Sequence, residues 1–223
     1  MSSIDKTLYA TLPTRLLAGV VVPDTPIVTR AIEFAREHCE PYLFNHSIRS
    51  WLFSAALAQL RNATHDPEVL AVSTVLHDIG LVQAFAGPLR FEVEGANAAR
   101  AFARGAGMQE RQAQLIWDGV ALNSTPSIGL HKETEVALCT AGIGLDWGGW
   151  GHELLAPSLV GSIVDAFPRL DMKQSFTRAV CHIVESRPDT TYDNFARDFG
   201  DRFVAGYKTP SAVDLLMAAP FKE

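Results

Sequence analysis

The chain has 223 residues, 48% of them hydrophobic, and a formal net charge of -6. That length buries one large core, the composition is globular rather than disordered, and the acidic balance gives no overall attraction to nucleic acid or anionic lipid. Three widely spaced cysteines without a CxxC pair point away from a disulfide scaffold or thiolate zinc knuckle, and Pro13, Thr14 and Arg15 break the only N-terminal apolar stretch, so neither a signal sequence nor a spanning helix is expected.

Residues 1–26 read as an irregular lead-in, with at most one short helix. Thr25 followed by Pro26 is a helix start, a cap residue and then proline in the first turn. Apolar positions at helical spacing carry that helix from Ile27 to His38, and Pro41 is expected to end it. A second helix is expected from about Asn45 to Asn62, striped by Ile48, Trp51, Leu52, Ala55 and Ala56. Asp66 and Pro67 restart the chain as a nearly all-apolar helix to about Ile79, buried on most sides, with Gly80 as its stop. Residues 81–93 read as a loop. Helices are expected over Gly95–Gly105, Gln109–Ala121 and Lys132–Ile143, with a Ser/Thr/Pro/Gly loop at 123–129. Further helical stretches fall at about 171–186 and 193–206, with a short one after Pro210. No strand alternation, repeat or long linker appears. The expected fold is all-α, a single helical domain over residues 27–223.

The strongest chemical signal is LHDIG at 76–80. His77 and Asp78 interrupt a run that is otherwise a buried helix, and a buried carboxylate needs a partner. A metal ion suits adjacent imidazole and carboxylate groups, provided further ligands come from other helices. His46, 31 residues earlier in FNHSIRS, is the natural third ligand. Asp146, in the glycine-rich AGIGLDWGG, is the natural fourth, a helix cap or turn residue being the alternative reading.

The ordered blocks FNHSIRSWLF, VLHDIGL, FEVEGANAARAF, IWDGVALNSTPSIG and GIGLDWGG resemble the HD-domain superfamily of metal-dependent hydrolases, and more narrowly its cyanamide-hydratase-like branch. The resemblance spans roughly residues 27–205. It implies an all-helical fold with the metal in a central cleft and maps the ligands onto His46, His77, Asp78 and Asp146. Many relatives have histidine where this chain has Asn123, which points to one divalent metal, zinc in first place, with iron or manganese as alternatives.

Around that centre, Asp78 and Asp118 are candidates for proton transfer, and Arg49 either meets a substrate group or pairs with an acid. Phe44, Asn45, Asn123 and Trp147 are candidate substrate contacts, each with ordinary packing as its alternative, as for Trp117 and Phe85. Glu92 and Glu94 either orient a ligand or are surface charges, and His131 lies in a loop. The implied activity is addition of metal-activated water to a small nitrile-like or C–N substrate such as cyanamide. A nucleotide phosphohydrolase is the first rival. It needs cations at the cleft, and only Arg49, Arg90 and Lys132 are candidates. The second is a non-catalytic ligand-sensing domain. A small-molecule partner and a cytoplasmic location are expected, with no nucleic-acid or membrane partner; homo-oligomerisation is left open.

Overall fold

The computed structural model describes residues 12–221; the lead-in expected before residue 12 lies outside them. Two compact units divide the chain, the first ending at Met172 and the second starting at Lys173.

Among the described residues the first element of the first unit is an antiparallel hairpin that the sequence reading missed, β1 (Thr14–Leu17) and β2 (Val20–Pro23). Leu17 pairs with Val20, leaving a two-residue turn in which Ala18 and Gly19 both have positive φ, 49° and 86°. Such turns match the right-handed twist of paired strands. Val20 and Val22 are buried while Val21 is exposed, the alternation of a half-covered strand. Four-residue strands are too short for that alternation to stand out beforehand.

Helix α1 (Pro26–His38) starts as its sequence dictates, with the Thr25 hydroxyl accepting from the Val28 N–H. Helix α2 (Pro41–Leu60) starts four residues earlier than expected, because Pro41 opens it at the first helical position instead of closing α1. Nearly every residue from Tyr42 to Ala58 is buried, so α2 is the central helix of the unit. Each of Trp51, Leu52 and Phe53, almost wholly covered, contributes roughly 1.5–3 kcal/mol of burial.

Helix α3 (Pro67–Val75) is capped by Asp66, whose Oδ1 accepts from the N–H groups of Glu68 and Val69. Gln112 and Glu135 hold that cap from neighbouring helices. The helix ends at Val75, not Ile79: residues 76–78 form a turn that runs into a 3-10 turn, Ile79–Leu81. Helix α4 (Phe91–Gly105) starts before Gly95, and α5 (Glu110–Ala121) is opened by a reciprocal cap between Gln109 and Gln112. A single turn, α6 (Pro126–Gly129), precedes α7 (Thr134–Gly148). Helix α7 outruns the expected end at Ile143 and stops at Gly149, whose φ of 76° needs a glycine-like residue. Helix α8 (Pro157–Ala166) has no counterpart in the sequence reading.

Helix α2 packs most extensively on α7 and next on α3, while α4 pairs with α5. The α2–α7 contact is close because Gly142 has no side chain: a Cβ there would sit 2.0 Å from Ser54 Oγ and 2.6 Å from the Ser50 carbonyl oxygen. The chains run so that one turn onward on α7 and one turn back on α2 bring Asp146 to His46.

The second unit holds the remainder of α9 (Met172–Ser186), α10 (Ala196–Phe203) and α11 (Ala212–Met217). Phe176, Phe195, Phe199 and Phe203 form an aromatic row within it. Among the described residues no helix is long and apolar enough to cross a membrane.

Candidate metal centre

His46 stands in the second turn of α2, and His77 and Asp78 stand in the turn that follows α3. Asp78 has left helical geometry, with φ -102° and ψ 11°. Consecutive residues on a helix diverge by about 100°. The turn removes that constraint and lets His77 and Asp78 face the same point.

All three side chains are buried, with ligand atoms within 4.8 Å of one another. The edges of the triangle are short: His46 Nε2 to His77 Nε2 3.2 Å, His77 Nε2 to Asp78 Oδ2 3.1 Å, and His46 Nε2 to Asp78 Oδ2 3.5 Å. Four-coordinate zinc with bonds of about 2.0–2.1 Å separates its ligand atoms by about 3.3–3.4 Å. The triangle therefore has the dimensions of one face of such a site.

Hydrogen bonds on the far side of each ring assign the tautomers. His77 Nδ1 donates to the Thr74 carbonyl at 2.8 Å, and His46 Nδ1 donates to Asp146 Oδ2 at 2.6 Å. With those protons on Nδ1, both Nε2 atoms present lone pairs to Asp78 Oδ2. Three acceptors then face one another, and only a proton or a cation relieves them. Burial lowers the pKa of His46 below the ordinary imidazole value. For His77 burial pulls the same way, but the Asp78 carboxylate outweighs it and the net shift is upward. Burial pushes Asp78 up, and His77 more than offsets it, so the carboxyl is held low and ionised. Asp78 Oδ2 is buried without a hydrogen-bond partner. An acceptor so placed is costly unless a cation meets it. The cluster is thus able to hold a metal ion through two neutral imidazoles and one carboxylate. The cysteines add no thiolate: burial raises Cys39 to about 12 and Cys139 to about 11.

Asp146, expected as a fourth ligand, occupies a different place. It lies in the last turn of α7, not in a glycine turn, and both of its oxygens are taken by N–H donors. Oδ2 accepts from His46 Nδ1 and from Arg49 Nη2 at 2.8 Å; Oδ1 accepts from Arg49 Nε at 2.7 Å and lies 3.4 Å from Arg169 Nη1. Burial would raise its carboxyl, but the hydrogen bonds from His46 and Arg49 hold it well below the usual carboxylate range. Asp146 stands behind His46 as the carboxylate that orients the imidazole, a common arrangement at metal-bound histidines.

Arg49, expected to meet substrate or an acid, is wholly buried and does the latter. It also donates to the carbonyls of Phe167 and Pro168. Asn45 donates to the same Pro168 carbonyl, so its amide nitrogen anchors that loop. Phe44 is core, with the Arg36 guanidinium over its ring. Asn123 donates to the Val120 carbonyl at 2.7 Å and lies 3.4 Å from that of His77, so it braces the turn. Trp147 is partly exposed, edge-on to Trp150. Asp118, expected as a proton carrier, pairs with Lys132 and accepts from Gln114. Glu92 is fully buried, bound by Arg90 and Ser124, and Glu94 accepts from the Leu89 N–H. Trp117 donates to Asn97, Phe85 packs on Phe34 and His38, and His131 is exposed.

Arg169 is the site residue that sequence reasoning missed. It follows Pro168 in a non-helical stretch, and no spacing rule links it to Asp146, 23 positions earlier. Compared with protein-family models and with curated proteins, the chain matches none.

Proposed function

We propose that the chain is a metal-dependent enzyme that adds water to, or hydrolyses, a small C–N substrate of the nitrile or cyanamide type. The observation that carries the reading is Asp78 Oδ2, buried without a donor beside two imidazole Nε2 atoms. A two-nitrogen, one-oxygen donor set of this size suits zinc, with iron and manganese in the same class. A divalent ion held by His46, His77 and Asp78 supplies an acidified water and a Lewis acid for an electrophilic carbon.

The chain's own residues prepare that chemistry. The Thr74 carbonyl and the Asp146 carboxylate fix both imidazoles as Nδ1–H tautomers, so that Nε2 offers its lone pair. Asp78 supplies the negative charge at the centre. The cluster is buried, which excludes bulk water and strengthens every charge interaction there.

The resemblance in the ordered sequence blocks favours the small C–N substrate over a nucleotide. So does the placement of the cations that a phosphohydrolase would need: Arg49 is committed to Asp146, Arg90 to Glu92, and Lys132 to Asp118 and Glu133.

Elemental analysis of protein expressed with supplemented metal, together with product assays on cyanamide, small nitriles, isonitriles, amides and nucleotides, tests the reading. About one ion per chain is expected, lost in His77→Ala, with turnover confined to the C–N compounds. Near-zero metal in the unaltered chain overturns the metal centre; turnover of nucleotides alone overturns the substrate class.

A further inference from the structure

We propose that Arg169 is a positioning residue of this centre, acting through Asp146 on the imidazole of His46. The inference rests on the reading of His46, His77 and Asp78 as metal ligands, and adds the loop that follows α8 to the apparatus holding them.

Three observations converge on that loop. First, Arg169 Nη1 donates to the main-chain oxygen of Asp146 at 2.9 Å and reaches its Oδ1 at 3.4 Å, so one guanidinium holds both the backbone and the carboxylate of the residue that orients His46. Arg49 grips the same carboxylate from the opposite partner, α2, through two parallel N–H donors. Such forked contacts fix direction as well as distance. Second, the loop is tied to the helix that carries His46. Pro168 gives its carbonyl to Asn45 Nδ2 at 2.8 Å, and Arg49 Nη1 takes the Phe167 carbonyl at 2.8 Å and the Pro168 carbonyl at 3.2 Å. Asn45 and Arg49 flank His46 along α2. Third, the two residues after Arg169 are both left-handed without being glycine: Leu170 has φ 49° and Asp171 has φ 56°. Side chains resist that conformation, and it persists where surrounding contacts over-determine it. The turn returns the chain so that Met172 Sδ lies 3.3 Å from Arg49 Nη2 and 3.2 Å from Arg169 Nη2, joining the two guanidinium groups at one sulfur.

The consequence is mechanical. Arg49 and His46 fix the Asp146 carboxylate from α2 alone, leaving the main chain at the end of α7 free to shift relative to it. Arg169 removes that freedom at the main chain, and the imidazole of His46 inherits the restraint through its Nδ1–H. The arginine is side-chain half-buried and touches none of the three ligand atoms, so it acts on the metal only through Asp146.

The test compares the full chain with Arg169→Gln and Arg169→Lys. Zinc affinity is measured by competition with a chromophoric chelator, ligand geometry by the visible absorption of the cobalt(II) form, and the fold by metal-free thermal melts. Loss of the outer partner of a metal-bound histidine, here Asp146, weakens binding about 10–100-fold, and Arg169 stands one contact further out, so a loss at the lower end, about tenfold, sets the scale. That loss is expected for Arg169→Gln with an altered cobalt spectrum and an unchanged metal-free melt. Arg169→Lys, which keeps the charge but not the fork, falls between. Affinity and spectrum equal to the parent in both variants overturn the role while leaving the metal reading intact. If Arg169→Gln fails to fold, the lysine variant decides by the same comparison, a weaker affinity with a shifted spectrum supporting the role and equality overturning it. A parent chain that binds no zinc overturns the underlying metal reading and this role with it.

Discussion

Replacing Asp78 by asparagine separates two consequences of one carboxylate. In the metal-free chain, at a pH above the titration of both imidazoles, the buried Oδ2 lacks a donor. Leaving an acceptor so placed unsatisfied costs about 1–3 kcal/mol. Asp78→Asn removes the charge, keeps the shape and allows an N–H to face an imidazole. Its metal-free melting temperature is therefore expected to equal or exceed that of the parent, while zinc no longer raises it; paired melts with and without zinc read both effects. A variant much less stable than the parent without metal would contradict the unsatisfied-acceptor argument. At this scale the sequence was informative where polarity broke an apolar pattern: His46, His77 and Asp78 stand out for that reason, and they form the cluster. Asp146 stood out too, but its role did not follow, because the donors that claim its oxygens, Arg49 and Arg169, lie 97 and 23 positions away. Nothing local marks such a convergence.

Helix starts and stops were legible where caps are local, as at Thr25 and Asp66, and ambiguous where one residue type serves both ends. Pro41 is the example, since proline closes one helix as readily as it opens the next. The end of α3 mattered more. An apolar run continues through Ile79, so periodicity alone carries the helix past His77; the turn that aims His77 and Asp78 together depends on the Ile79–Leu81 turn lying against α4, where a Cβ on Gly80 would come within 1.9 Å of the Phe91 carbonyl oxygen. Close approach also decides how α2 meets α7. Alanine is ordinarily the better helix residue by roughly 0.5–1 kcal/mol. At Gly142 the clash with Ser50 and Ser54 outweighs that gain, and Gly142→Ala is expected to destabilise by about 1–3 kcal/mol, the range for overpacking. At Gly161 on α8 a Cβ meets nothing within 4 Å, so Gly161→Ala is expected to be neutral or to gain the propensity difference. Denaturant midpoints for the two variants check the contrast; equal effects would show that the α2–α7 spacing is not set by Gly142.

At the scale of the molecule, an ion that binds only the folded chain adds RT ln(1 + [L]/Kd) to its stability, about 2.7 kcal/mol at a hundredfold excess over Kd. For a chain of this size each kcal/mol moves the melting temperature by roughly 2–4 °C. Zinc at that excess is expected to raise it by about 5–10 °C, and a chelator to reverse the rise, as followed by calorimetry. No shift would mean that the cluster does not hold zinc in the folded chain. All three ligands belong to the first unit, so the rise belongs to that unit's transition. An all-helical expectation was close to what forms, apart from the hairpin, because long apolar helices announce themselves through periodicity, whereas a division after Met172 arises from which helices contact which, and that pattern is written in no single stretch of sequence.

The bond between His46 and Asp146 joins residues 100 positions apart, while His46 and His77 are separated by 31. Closing the longer loop carries more chain entropy and is rewarded only once α7 has docked on α2. The His77–Asp78 turn is therefore a local structure, but the aim of His46 is a property of topology. Any opening that parts α7 from α2 disorients His46 even where α3 and its turn stay whole, so the centre senses the long-range connectivity of its unit rather than the integrity of its own neighbourhood.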